Sequence, residues 1–448
     1  MLSYYLRLAS KSFRRTPGLT ALMICAIASG IGACIVTLTV YHAVSGNPIW
    51  WKNSVLYAVT MDSWDPAQPA DSANPTLPPP QLTYRDATYL MTSSIPKHKA
   101  IMTQLLGMLS GAPGQRAPVP VMTRATTADF FPMFDVPFEF GGGWDAAADQ
   151  GPGPVIVLSH IENEKLFGGA NSVGRTLIWN GRQFRIVGVL KEWQPAPRFY
   201  DLNEGGGFNR TEEAYVPFTW APTLQQLPSG HMDSWGSVSV NNYQEFLNSE
   251  SNWIEMWVEL PTAASRGDML AFMNSYWAAQ RKAGRFQRPL NNHLTDVGDW
   301  LKVNHVVSAD NSILLRLAFA FLAVCLINTI GILLAKFLRR SAVTGLLRAL
   351  GASRRQIFWQ HLVEVGAIAV VGAAAGVVVG VIGLKAVQAL YDTGNTDFGG
   401  SNYAALAHFD PVGIAWALGL AALSTVAAGL YPAWTIGRVP PSRYLKSQ

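Results

Sequence analysis

A membrane protein with four α-helical spans and one large mixed α/β domain between the first and second span is the fold class this sequence predicts. Three observations predict it. Four long stretches are nearly free of charge; the clearest, residues 317–335, gives roughly 28 Å at 1.5 Å per residue, enough to cross a hydrocarbon core. A mean hydropathy of +0.15 with 14% charged residues is too apolar for an ordinary soluble protein and too polar for a chain held wholly in lipid. The cations are also unevenly placed. Residues 1–16, 336–362 and 437–448 hold 13 of the 34 Lys and Arg and no Asp or Glu, whereas residues 44–310 hold 19 cations and 25 acids. Basic segments flanking apolar spans mark cytoplasmic ends and argue against a nucleic-acid-binding face on the domain.

The elements follow in order. Residues 1–16 alternate Leu2, Leu6 and Phe13 with Arg7, Lys11, Arg14 and Arg15, the pattern of an amphipathic entry helix on the inner leaflet rather than a targeting peptide. Residues 17–44 form the first span, in which Gly30 and Gly32 permit close helix contact. The domain occupies residues 45–311. Val55, Tyr57 and Val59 alternate as a strand, the Pro-rich stretch 65–80 is a loop outside the core, and a helix is expected around residues 84–91. Asn180-Gly181 between apolar strands predicts a type I′ hairpin joining residues 176–179 to 183–190. Ile254, Met256, Val258 and Leu260 fill one face of a later strand and Trp253, Glu255, Trp257 and Glu259 the other, followed by a helix over residues 263–282. Residues 312–336 are the second span, ended by Lys336, Arg339 and Arg340; 360–390 are the third, dense in Gly and Ala; 411–437 are the fourth. The loop 391–410 has Asp392, Asp397 and Asp410 and no cation, so it belongs outside, and the tail 438–448 inside. Between the second and third spans, residues 337–356 place Leu346, Leu347 and Leu350 on one side and Arg348 with Ser353 to Arg355 on another, an amphipathic helix ended at Gly351.

Cys325-Leu-Ile-Asn328, Leu334-Ala-Lys336 and Arg348-Ala-Leu-Gly-Ala-Ser-Arg-Arg355 carry a family resemblance. This region resembles the second transmembrane helix and coupling helix of MacB-type ABC permeases, which share an FtsX-like core. Asp129-Phe-Phe-Pro-Met-Phe134, residues 155–159, Lys165-Leu-Phe-Gly168 and Val173-Gly-Arg-Thr176 resemble the family's periplasmic domain in order, and Gly429-Leu-Tyr-Pro-Ala-Trp434 with Arg438 resembles its closing motif. The resemblance implies a periplasmic domain in which a porter-like part (53–120 and 252–305) brackets an inserted β-rich part (121–251). It also implies an inner-membrane location with both termini cytoplasmic, and a membrane subunit whose ATPase, with its ATP and magnesium, is a partner chain.

The same resemblance assigns ATPase coupling to Val343, Thr344, Gly345, Leu346, Leu347, Arg348, Ala349, Leu350, Gly351 and Ala352. One departure stands out: the family usually has Glu-Ile-Gly where this chain has Val343, Thr344 and Gly345, and a basic residue is common where Leu347 stands. The implied partners are an ABC ATPase dimer, a second permease (a copy or a paralogue), a periplasmic adaptor with an outer-membrane duct, and membrane lipids; nucleic acid is not among them. The expected function is export of a peptide, antibiotic or lipid-like cargo, with an FtsX-like signal transmitter or a lipoprotein-release permease as the alternatives.

No catalytic, cofactor or metal site is expected in the chain itself. Residues 169–176 nearly spell a phosphate-binding loop, but Arg175 replaces its lysine and a helix-like segment precedes it, so a turn into the hairpin is the expected role. The eight histidines show no ligand spacing, and Ser159-His160 lacks a nucleophile elbow. Cys25, Cys34 and Cys325 all fall in apolar spans, which leaves no disulfide framework in the domain. Two polar residues in the spans are expected to serve packing: Asn328 through an interhelical hydrogen bond, and Glu364, which opens the third span near Arg340 and Arg355. Trp235, Trp253 and Trp257 are expected in the core, with an apolar ligand face as the alternative.

Overall fold

The computed structural model describes residues 2–72, 74–111, 117–203, 207–236, 238, 242–306, 309–339, 350–392, 419 and 430. They fall into two compact units, a helical one from residues 1–45 and 308–393 and a mixed α/β one from residues 46–307.

The helical unit contains α1 (Leu2–Arg15) and α2 (Pro17–Ser45). Pro17 opens α2, where its missing N–H costs nothing, and Thr16 is the single bend between the two helices. Two longer helices, numbered after those of the α/β unit, are α10 (Ala309–Leu338) and α11 (Arg354–Asp392). Three stretches are long and apolar enough to cross a membrane: Pro17–Tyr41, Ile313–Phe337 and Arg354–Val387. The expected fourth span, the loop before it and the tail after it lie outside the described residues, apart from Gly419 and Leu430, which are helical.

Met23, Ile27, Ile31 and Ile35 of α2 pack with Leu322 and Leu333 of α10 and with Val365 and Ile368 of α11. The glycine density of the third span has a steric reason. A Cβ at Gly376 would lie 2.7 Å from Ile31 Cβ, and one at Gly372 would lie 2.8 Å from Ile27 Cγ2, so glycine at one-turn spacing lets the α11 backbone approach the isoleucine ridge of α2.

The second unit is built on one sheet in the order β12-β1-β11-β3-β4-β9-β6-β8-β5. At its centre lie β1 (Leu56–Thr60), β11 (Ser251–Glu259), β3 (His98–Ser110) and β4 (Val119–Thr126), all antiparallel to their neighbours in that run. The far half holds β9 (Ala214–Pro217), β6 (Val155–Leu158), β8 (Arg182–Leu190) and β5 (Phe138–Gly141). Strand β7 (Thr176–Trp179) pairs with β8 and with the end of β3, and Asn180 (φ 47) and Gly181 (φ 75) make the tight turn that the sequence predicts. The short β2 (Leu82–Thr83) and β10 (Asp233–Ser234) add to β11, and β12 (His293–Asp296) closes the other edge.

Helices α3 (Tyr84–Leu90) and α8 (Ala263–Lys282) form where the pattern placed them. Thr262 and Ser265 make a reciprocal capping box at the start of α8. The remaining helices are α4 (Phe130–Met133), α5 (His160–Phe167), α6 (Trp220–Leu224), α7 (Tyr243–Asn248) and α9 (Val297–Val303). The Phe130–Phe134 motif is an aromatic core piece: Phe130, Phe131 and Phe134 meet Phe199, Tyr200 and Trp257. Both faces of β11 are buried, so Glu255 and Glu259 do not face solvent; β11 sits between β1 and β3 with a core on each side.

Candidate functional site

A buried polar cluster joins four helices of the helical unit. Lys336, in the last turn of α10, is 1% exposed, and its Nζ lies 2.8 Å from Glu364 Oε1 on α11. Ser12 of α1 donates its hydroxyl to the same carboxylate oxygen. Lys336 Nζ also lies 3.4 Å from Thr20 Oγ1 of α2 and 5.3 Å from the centre of the Phe13 ring. His361, one turn before Glu364, places Nδ1 3.9 Å from Glu364 Oε2 and packs on Phe337 at 4.3 Å between ring centres. One carboxylate and one ammonium thus bind α1, α2, α10 and α11 at a single point, each within reach of hydroxyls that satisfy part of its remaining hydrogen-bond capacity. Breaking such a pair by removing one partner leaves an uncompensated buried charge.

The pair has a topological consequence. Lys336 and Glu364 flank the chain between α10 and α11, so their contact closes a loop that contains every residue assigned to ATPase coupling. Of those ten, 343–349 lie outside the described residues; Leu350 is exposed, Gly351 has φ +100 and Ala352 is half-buried. Ser353 belongs to a different element from the one the sequence suggests. Its Oγ accepts from the Gln356 N–H and its own N–H donates to Gln356 Oε1, a Ser-x-x-Gln capping box that starts α11.

Asn328 is exposed on α10, as are Val324 and Ile327, while its neighbour Thr329 is buried and bonds the Cys325 carbonyl at 2.8 Å. Glu364 is buried, and its described cation partner is Lys336. Arg355 is exposed, and Arg340 lies outside the described residues. In the sequence Lys336 reads only as the end of a span, and Ser12 and Thr20 carry no signal of their own. The available signal was a lysine and a glutamate just inside two consecutive apolar helices, where neither belongs unless paired.

A second buried network sits in the α/β unit. Arg124 on β4 is fully buried and bonds Asp201 and Glu212, with Glu255 Oε2 at 3.9 Å. Arg198 reaches Glu212 at 3.0 Å, and Gln81 and Asn203 donate to Glu255 at 2.6 and 3.2 Å. Burial alone would raise the Glu212 pKa, but Arg124 and Arg198 beside it hold the carboxyl down at about 2. Burial pushes Glu255 up to about 8, with Asp201 adding to the rise and Arg124 opposing it.

The two groups act on opposite sides of the stability curve. Glu212 costs stability as pH falls from about 4.5 towards 2, because only the unfolded chain readily takes the proton. Glu255 costs stability as pH rises from about 4.5 to about 8, because the folded chain keeps a proton that the unfolded chain releases. Glu255→Gln is therefore expected to flatten the decline in melting temperature between pH 5 and 8; an unchanged slope would show that Glu255 is ionised in the folded domain.

Other sequence candidates resolve into structure. Ser159 caps α5 by accepting from the Glu162 N–H, and His160 pairs with Glu139 at 2.9 Å. In the loop resembling a phosphate site, the Gly174 N–H donates to the Ile186 carbonyl at 2.8 Å and Arg175 lies over Phe167, so the segment is a turn into the hairpin. Trp253 and Trp257 are core residues as expected, but Trp235 is exposed rather than in the core, its indole N–H donating to the Ser63 carbonyl at the surface. Among the described residues no group of three or more His, Cys, Asp or Glu is placed to hold a metal.

Apolar helices long enough to span a membrane, tied at one point by a buried ion pair, with a large α/β domain inserted after the first of them, are the makeup of a membrane protein with an extramembrane domain. The chain belongs to the MacB-like periplasmic core domain family, whose model matches residues 20–268, and residues 316–441 match the FtsX-like permease C-terminal model. It is thus a MacB/FtsX-like ABC permease. A curated relative, the macrolide export ATP-binding/permease protein MacB of Aggregatibacter actinomycetemcomitans, is 23% identical over 224 residues, covering 50% of this chain and 29% of the relative. Among solved structures, the periplasmic region of MacB from Actinobacillus actinomycetemcomitans aligns at 13% identity with a TM-score of 0.35, over 57% of this chain and 94% of that one. The extracellular domain of the noncanonic ABC-type transporter YknZ from Gram-positive bacteria aligns at 14% identity with a TM-score of 0.32, over 54% of this chain and 100% of that one.

Proposed function

We propose that this chain is the permease subunit of an exporter in which a separate ABC ATPase dimer, carrying ATP and magnesium, acts on residues 343–352. The observation that carries this reading is the Lys336–Glu364 pair, which closes the chain around that segment. A force on the loop reaches α10 and α11 through the pair, and α1 and α2 through Ser12 and Thr20. The chain lies in the inner membrane with both termini and the basic loop in the cytoplasm, and works beside a second permease. Its periplasmic domain, a porter-like part bracketing the β-rich insert, moves a peptide, antibiotic or lipid-like cargo, with a periplasmic adaptor and outer-membrane duct as further partners. Because Val343 and Thr344 supply no acid to orient the basic loop, we assign the second permease to a paralogue with a more usual seat.

Purification of the tagged chain from its native host in mild detergent is expected to bring down an ABC ATPase and a second permease, with ATP turnover only when the ATPase is present. Recovery of two copies of this chain with full ATPase stimulation would remove the paralogue. Deletion that leaves cargo efflux intact but abolishes a periplasmic enzyme's activity would move the assignment to an FtsX-like signal transmitter.

A further inference from the structure

The edge strand β12 borders a cavity that the transport reading does not use. It pairs antiparallel with β1, His293 opposite Thr60 and Asp296 opposite Tyr57, and among the described residues no strand pairs with its other side. Helix α8 packs on one face of this corner, where Met269 and Met273 meet Tyr57, Val59 and Leu294. Helix α9 packs on the opposite face, where Trp300 and Leu301 meet Leu56 and Ala58. A cavity of about 710 Å3 is lined by all four residues of β12, by Arg266 of α8 and by Trp300 of α9. A space bounded by helices from both faces of a sheet lies off its edge, and this volume is within the roughly 300–1,000 Å3 of small-ligand sites.

The Pro-rich loop forms the remaining wall through Leu77, Pro78 and Pro80. It is held in place: Arg288 donates to the Asp65, Gln68 and Pro75 carbonyls at 3.2 Å each, and Asn291 to the Thr76 carbonyl at 2.8 Å. Among the described residues, the hydrogen bond made to the outer side of β12 is from Arg266 Nη2 to the Leu294 carbonyl, 3.3 Å. In an antiparallel ladder a residue's N–H points to the same side as its C=O, so the Leu294 N–H also faces the cavity.

We propose that this cavity receives an extended peptide, which adds to β12 as a further strand and sets alternate side chains against the proline wall and Trp300. The lining selects for charge. Asp71, Asp233, Asp296 and Asp299 outnumber Arg266 and Lys302. Lys302 is matched by Asp299 at 2.8 Å, and Arg266 stacks on the Tyr57 ring at 4.9 Å. The site therefore favours basic side chains on the peptide. It holds whether the chain exports or signals, since it rests on the domain alone.

The test uses the full-length chain in detergent and a fluorescein-labelled hexapeptide alternating lysine and valine, followed by fluorescence anisotropy. Expected results are saturable binding, weaker binding of the glutamate–valine counterpart, and slower amide hydrogen exchange at residues 293–296 in the complex. Ala70→Trp and Leu77→Trp, which fill the cavity from its loop wall, are each expected to weaken binding by about tenfold or more while the melting temperature is unchanged. A lysine–valine hexapeptide N-methylated at every residue, which lacks N–H donors on both edges, should bind no better than background. Failure of the lysine–valine peptide to bind, equal binding by the N-methylated peptide, or full binding by both tryptophan variants would overturn the proposal.

Discussion

Glu364→Ala is expected to destabilise the helical unit by about 3–5 kcal/mol, the cost of leaving a buried charge without its counterion. The charge left behind is the Lys336 ammonium, 1% exposed, with the Thr20 hydroxyl at 3.4 Å and the Phe13 ring as its other described contacts. Neither offers a formal charge, and Ser12 loses the Glu364 carboxylate as an acceptor at the same time. The measurement is thermal inactivation of the purified chain in detergent. Replacing both partners by apolar residues of similar size, Lys336→Met with Glu364→Leu, removes the charges together and is expected to restore most of the stability. A single variant as stable as the wild type would mean that water reaches Lys336 and that the cluster is not a closed contact.

Arg124→Met should have a comparable effect, about 3–5 kcal/mol, on the α/β unit. Arg124 is fully buried among Glu212, Asp201 and Glu255, so its loss leaves Glu212 and Asp201 with Arg198 as their described cation partner and Glu255 with the Gln81 and Asn203 amides. The sign of the pH dependence gives a second handle. Arg124 is the leading cause holding Glu212 down, so without it the carboxyl titrates at higher pH and takes up a proton on mild acidification. The penalty is therefore expected to be larger at pH 7.5 than at pH 4.5 when unfolding is followed by tryptophan fluorescence; Trp257, whose indole donates to the Tyr200 carbonyl, sits beside the network. A penalty independent of pH would show that the lost arginine mattered only for packing.

The sequence was most legible where local rules decide structure. Asn180-Gly181 imposes a turn whatever surrounds it, the apolar runs set the spans, and the alternation around Ile254 and the pattern before Lys282 placed β11 and α8. It was least legible where distant residues meet. Nothing near Arg124 announces Glu212, Asp201 or Glu255; Glu255 on β11 and Glu212, just before β9, reach it through the sheet, and Asp201 through the segment between β8 and β9. Glu255 was placed on the face opposite Met256, but its burial follows from β11 being central, which periodicity along one strand does not reveal. The Lys336–Glu364 contact has the same origin. Ser353 is different, because the Ser-x-x-Gln box was present in the sequence and was overshadowed by the cluster of arginines beside it.

ATP hydrolysis by the partner ATPase in complex with the Lys336→Met, Glu364→Leu double variant tests the central claim most directly. This variant removes the charged link around residues 337–363 and is expected to keep the bundle packed. With wild-type stability confirmed, the account predicts that the ATPase still binds but that its stimulation by the permease is lost; stimulation equal to wild type would contradict a role for the ion pair in coupling.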